Sequence, residues 1–123
     1  MRIADTSLLY AFFAAEDVHH ARARQALADA ETLLVPAEVL TELCALLQRR
    51  FDARAAHAAG EFLWSQPNTE IQPSGTDILM AAWEEFKADP KLTFTDAVVV
   101  ATCRELDASP ASFDRRLAKA VSR

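Results

Sequence analysis

Glycine and cysteine are scarce: the 123 residues hold two of each, beside five prolines. That scarcity excludes collagen-like, linker-like and repeat-turn architectures. Two thiols, Cys44 and Cys103, are too few for a disulfide scaffold, and no CxxC spacing offers zinc a site. They read as reduced core thiols of a cytoplasmic protein. Long hydrophobic runs are also missing. The longest uncharged apolar stretches, Leu8–Ala15 and Ala97–Cys103, fall well short of the ~20 residues a bilayer needs. Asp5 interrupts the start and Glu16-Asp17 follow without a small-residue cleavage site, so no signal peptide is expected.

Excess positive charge is lacking too. Lys and Arg number 13 against 18 Asp and Glu, a net charge of −5. A general nucleic-acid coat would be basic. A nuclease whose metal ions supply positive charge locally stays open. What is present is ordinary for a globular chain: 51% hydrophobic and 25% charged residues. Disorder is therefore excluded. A chain of this length fits one domain, residues 1–123, which removes about two thirds of its unfolded surface from water.

Apolar patterning alternates between two periods. Arg2-Ile3-Ala4-Asp5 reads as a buried strand, and Asp5, Thr6 and Ser7 are N-cap candidates for a helix carrying Leu8, Leu9, Phe12 and Phe13. A second helix covers His19 to Ala30. Leu33–Pro36 is a strand, and Ala37–Arg50 a helix with Val39, Leu40, Leu43, Leu46 and Leu47 on one face. Asp52 caps a further helix. Glu70–Gln72 is a weak strand, and Thr76 caps a helix from Asp77 to Ala88 that Pro90 ends. Phe94–Leu106 is helical and apolar nearly all round, which predicts deep packing. Ala111–Phe113 is expected to be the fourth strand and Arg115–Val121 the last helix. Alternating strands and helices predict an α/β fold, a three-layer α/β/α sandwich around a short parallel sheet.

In such a sheet, ligands bind beyond the carboxyl ends of the strands. Asp5 ends the first strand and Asp114 follows the fourth. Asp96 begins the most buried helix. Glu42 lies two turns into the helix after the second strand, at the border of its apolar face, while Glu38 points further away. Each acid also has a bland reading. Asp5 and Asp114 could be N-caps, Asp96 a first-turn acid with Thr93 or Thr95 capping, and Glu42 a solvated helix residue. Converging carboxylates, by contrast, are costly to hold charged without a counter-ion. Oxygen-only ligands would suit Mg²⁺ or Mn²⁺, which can activate water and neutralise charge developing at phosphorus.

Four segments carry a family resemblance. They are Ile3-Ala4-Asp5-Thr6-Ser7-Leu8-Leu9, Pro36-Ala37-Glu38-Val39-Leu40-Thr41-Glu42-Leu43, Leu92-Thr93-Phe94-Thr95-Asp96-Ala97-Val98-Val99-Val100-Ala101 and Ala111-Ser112-Phe113-Asp114-Arg115-Arg116-Leu117. In this order, across almost the whole chain, they resemble the PIN domain of VapC toxins from bacterial type II toxin–antitoxin pairs. The resemblance implies a metal-dependent endoribonuclease toxin. It places Asp5, Glu42, Asp96 and Asp114 at the catalytic, metal-holding positions, with Mg²⁺ or Mn²⁺ as cofactor. Thr6 and Ser112 match small hydroxyl positions that support the site, the latter more often Thr. RNA substrate, homodimerisation and a cognate antitoxin occupying the acidic groove are implied as well. Family members commonly continue into a fifth short strand, whereas this sequence ends at Val121-Ser122-Arg123, so four or five strands are expected.

Arg115 and Arg116, next to Asp114, could contact RNA phosphates or an antitoxin, or form a solvated helix start. Arg49, Arg50 and Arg54 complement helix dipoles. His19, His20 and His57 lack ligand spacing and are expected on exposed helix positions. Phe12, Phe13, Trp64 and Trp83 belong to the core or a dimer interface. A non-catalytic PIN-like module binding RNA or protein is the competing reading. A receiver domain is excluded because Ile71-Gln72-Pro73 offers no phospho-accepting Asp and no Lys follows the last strand before Lys119. A haloacid-type phosphatase is excluded because Asp5-Thr6-Ser7 lacks the second acid.

Overall fold

The computed structural model describes all residues from Met1 to Arg123. Strand β1 (Arg2–Ala4) leads into helix α1 (Thr6–Phe13), followed by α2 (His20–Asp29). Strand β2 (Leu33–Pro36) runs directly into α3 (Ala37–Arg50), then α4 (Ala53–Ser65), β3 (Thr69–Gln72) and α5 (Thr76–Ala88). Helix α6 (Phe94–Leu106), β4 (Ser109–Ala111) and α7 (Arg115–Ser122) complete the chain. The four strands form one parallel sheet in the order β3-β2-β1-β4.

Burial shows why helices cover both faces. Successive strand residues point to opposite sides, yet Ile3 and Ala4 of β1 are both fully buried, as are all four residues of β2. Only helical layers above and below the sheet achieve that. The main core joins Ile3, Leu9, Val35, Leu43, Leu63 and Val99, so six elements meet on one apolar body. Helix α6 is buried without a break from Ala97 to Cys103. Its Ala97, Val98 and Ala101 pack under α5, and its Val100 packs with Leu117 and Ala120 of α7. Nearly all-round apolarity was the sequence sign of this central position.

Three local expectations differ from the structure. Strand β4 covers Ser109–Ala111 instead of Ala111–Phe113. Its register against β1 pairs Ala111 with Ala4, the last residue of β1, so the ladder ends there. Pro110 is tolerated because β4 lies at the edge of the sheet. Helix α5 begins at Thr76 itself, with Gly75 as a cap that makes no side-chain bond. His19 and His20 are half-buried: His19 stacks on Phe113 with ring centres 4.8 Å apart, and a ring nitrogen of His20 lies 2.8 Å from the Ala11 carbonyl. Phe12 and Phe13, both half-buried, pack against the half-buried Phe62, whereas Trp64 and Trp83 are 65% and 51% exposed. Both thiols are free, and burial pushes Cys103 up to about 12, which leaves it an inert core residue.

Candidate metal centre

The chain builds β1, β2 and β3 outward on one side and then returns to place β4 on the other side of β1. The strand order reverses between β1 and β4, and the crevice beyond their carboxyl ends is where such sheets hold ligands. Asp5 and Ser112 sit at that crevice, each just past its strand. The Asp5 amide continues the ladder by donating to the Ala111 carbonyl at 3.3 Å.

Asp5 is the N-cap of α1 and is 3% exposed. Its carboxylate accepts three kinds of bond. The Leu8 amide donates at 2.9 Å, the Ser7 hydroxyl lies 3.0 Å from both oxygens, and the Ser112 hydroxyl donates to Oδ2. The capping and functional readings of this residue are therefore not alternatives. Capping fixes the rotamer, and the outer oxygen remains tied to the neighbouring strand. No cation stands against it. Burial pushes its pKa above the ordinary 3.8, opposed by the Ser112, Leu8 and Ser7 bonds and reinforced by the negative charge of Asp96. A carboxylic acid with a raised folded pKa holds its proton to higher pH in the native state than in the unfolded chain. Asp5 therefore costs stability increasingly as pH rises above 3.8, and not below it.

Asp96 occupies the third position of α6 in a capping box. Its amide donates to the Thr93 hydroxyl oxygen at 3.1 Å, and its carboxylate accepts from the Thr93 amide at 3.2 Å. This places a second charge at the mouth of the buried helix. Asp114 caps α7, accepting from the Arg116 amide at 2.9 Å. The Arg116 guanidinium grips both of its oxygens, at 3.1 and 2.8 Å. That side-chain pairing, more than any other cause, lowers the Asp114 pKa below 3.8. The Asp114 amide also donates to the Ser112 hydroxyl at 2.9 Å, so Ser112 links the Asp5 carboxylate to the Asp114 backbone.

The remaining candidates make no side-chain bond to these three acids. Glu42 is half-buried on α3 and makes no hydrogen bond or ion pair. Glu38 accepts from the Ser74 hydroxyl at 2.8 Å, a structural link to the loop before α5. Arg115 is exposed at the first turn of α7. The Thr6 hydroxyl is buried without any partner, so it supports Asp5 through no bond within the chain. Ser7, whose hydroxyl does hold Asp5, drew attention in the sequence only as a possible cap. A hydroxyl two residues after an N-cap Asp is a usable sign of such a contact. The Arg116 grip on Asp114 had a similar sign, a basic residue two positions beyond a capping acid.

The donors suit a hard divalent cation in kind. All are oxygens, Asp5 is buried without a counter-charge, Asp96 adds to its cost, and an orphaned hydroxyl lies next to it in sequence. The present side-chain positions do not enclose an ion: no three acidic, His or Cys groups come close enough together to hold one. Arg116 occupies the Asp114 carboxylate that a cation would need. Asp114 is thus already paired with Arg116, whereas Asp5 and Asp96 have no ion-pair partner.

No helix is long and apolar enough to cross a membrane. No curated protein is significantly similar in sequence to the chain. Among solved structures, VapC20 of Mycobacterium tuberculosis, described as a sarcin–ricin loop cleaving toxin, superposes with a TM-score of 0.88 at 26% identity. The match covers 98% of this chain and 95% of that one, and it includes the seven helices and the four-stranded parallel sheet. The PIN domain family model matches residues 2–122, and the chain, carrying that fold from end to end, belongs to the PIN domain family.

Proposed function

We propose that the protein is a metal-dependent endoribonuclease of the VapC toxin kind. The observation that carries this reading is Asp5: a buried, uncompensated carboxylate held rigidly at the switch point of the sheet, with Asp96 acting on it. The structural likeness to an RNA-cleaving toxin supports the choice of RNA as substrate. Asp5 and Asp96 would hold Mg²⁺ or Mn²⁺, joined by Asp114 and by Glu42 as it turns inward from α3. When bound, such an ion lowers the pKa of water and neutralises charge at phosphorus.

The chain's own residues do the rest. Ser7, Ser112 and the Leu8 amide hold the Asp5 carboxylate in one orientation, so little reorganisation is needed when the site is filled. Thr93 holds Asp96 in the same way. Arg116 leaves Asp114 and is then free to hold a phosphate of the substrate through its planar fork. By the same reading the protein works in the cytoplasm, forms a homodimer, and is silenced by an antitoxin whose basic side chains replace the cation at the acids.

The test is cleavage of a sarcin–ricin-type stem-loop and an unstructured RNA by the purified protein. Cleavage of at least one RNA with Mn²⁺ or Mg²⁺, and none in EDTA, is expected. Cleavage indifferent to EDTA, or none under any condition, contradicts the proposal. One observation favours a non-catalytic PIN-like binding module instead: the acids do not enclose an ion and Arg116 already neutralises Asp114. RNA binding without cleavage in the same assay would establish that alternative.

A further inference from the structure

Beside the acids lies an open groove of about 700 Å³ between α7 and the loop joining α5 to α6. Lys91, Arg116, Lys119 and Arg123 line it, with Asp89 as its sole acid. Asp89 is drawn toward Arg123, 3.8 Å away, which leaves the other three cations without a carboxylate from the groove itself. Such a concentration of positive charge is unusual in a chain of net charge −5. Arg116, Lys119 and Arg123 are spaced i, i+3, i+7, so they share one face of α7 and its cap. At 1.5 Å per residue this stripe spans about 10 Å, enough for two or three backbone phosphates of a single strand. Lys91 faces it from across the groove. Arg116 joins the groove to the acidic site, because the same guanidinium lines one and grips Asp114 in the other.

We propose that this groove is the track for the phosphate backbone of the single-stranded RNA leaving the acidic site. The inference rests on the nuclease reading and deepens it by naming the residues that hold the substrate away from the reacting bond. Contacts of this kind carry no sequence information; they set register and raise affinity in proportion to the phosphates neutralised. Arg116 exchanges its carboxylate partner for a phosphate as the strand is seated, so substrate and cation engage Asp114 and Arg116 together.

The test compares wild type with the Lys91→Ser/Lys119→Ser double variant. Lys87→Ser serves as the control, since Lys87 lies outside the groove and pairs with Glu84 at 3.1 Å. All of these lysines are exposed, and circular dichroism verifies that folding is retained. Anisotropy of a short labelled single-stranded RNA, titrated in EDTA so that it stays intact, is read between about 50 and 200 mM salt. The double variant is expected to bind about 10-fold more weakly, with the salt slope reduced by about 1.4 for two lost contacts to a single strand. In cleavage it raises KM and leaves kcat nearly unchanged, while Lys87→Ser behaves as wild type.

Unchanged affinity and slope in the double variant overturn the groove, and if that protein still cleaves RNA the nuclease reading survives without it. Lysine-dependent RNA binding by a protein that never cleaves supports the groove and removes the nuclease. A glutamate-rich peptide that loses binding with these lysines while RNA does not overturns the proposal in favour of an acidic protein partner.

Discussion

Asp5→Asn is expected to lower RNA cleavage by more than about 100-fold, beyond the range typical of residues that only support a metal ligand. The substitution keeps the shape and the capping oxygen, so the Leu8 amide can still be satisfied. It removes the one charge that is buried without a counter-charge. A loss of stability therefore cannot explain the loss of activity, and the reverse is expected. At neutral pH the variant melts at the same temperature as wild type or higher, because the desolvated carboxylate is gone. That advantage shrinks as pH falls toward 3.8, where Asp5 is protonated in both states of the wild-type chain. Cleavage within a few fold of wild type would remove Asp5 from the chemistry. A lower melting temperature at neutral pH would show that its charge is compensated in the native protein.

Leu43→Ala is expected to cost about 2–5 kcal/mol, since a fully buried leucine leaves a cavity that its neighbours fill only in part. Against a total stability of about 5–15 kcal/mol for an ordinary domain, that is a large fraction. Leu43 belongs to the main core and sits next to Glu42 on α3. Urea unfolding should show a lower midpoint with an unchanged slope. An unchanged midpoint would contradict the packing described for α3.

Period and capping made most of the fold legible. Helix α3 covers Ala37–Arg50 as its period predicts, and Asp52 and Thr93 cap the helices they precede. The sheet was less legible where apolarity and pairing disagree. Ala111, Ser112 and Phe113 read as the strand, yet β1 is too short to pair beyond Ala4, and the ladder falls on Ser109–Ala111 instead. The shift matters for function. It leaves Ser112 outside the ladder, where its hydroxyl is free to reach Asp5.

At the site, strand ends and helix starts singled out Asp5, Asp96 and Asp114, because position along the chain fixes them. The bland capping roles were also right, for all three are part of helix N-termini. What the sequence could not convey was which of them has a counter-charge. Arg116 pairs with Asp114 and nothing pairs with Asp5, a distinction of side-chain geometry rather than of order. Glu42 remains the acid whose place depends most on the proposal, since the structure gives it no partner.

Crystals of the full chain grown with Mn²⁺ test the central claim most directly. The account predicts an anomalous peak bounded by carboxylate oxygens of Asp5 and Asp96, at about 2.1 Å as for a small hard ion. It also predicts Arg116 displaced from Asp114. No peak at saturating Mn²⁺, or a peak elsewhere with Asp5 untouched, would contradict it.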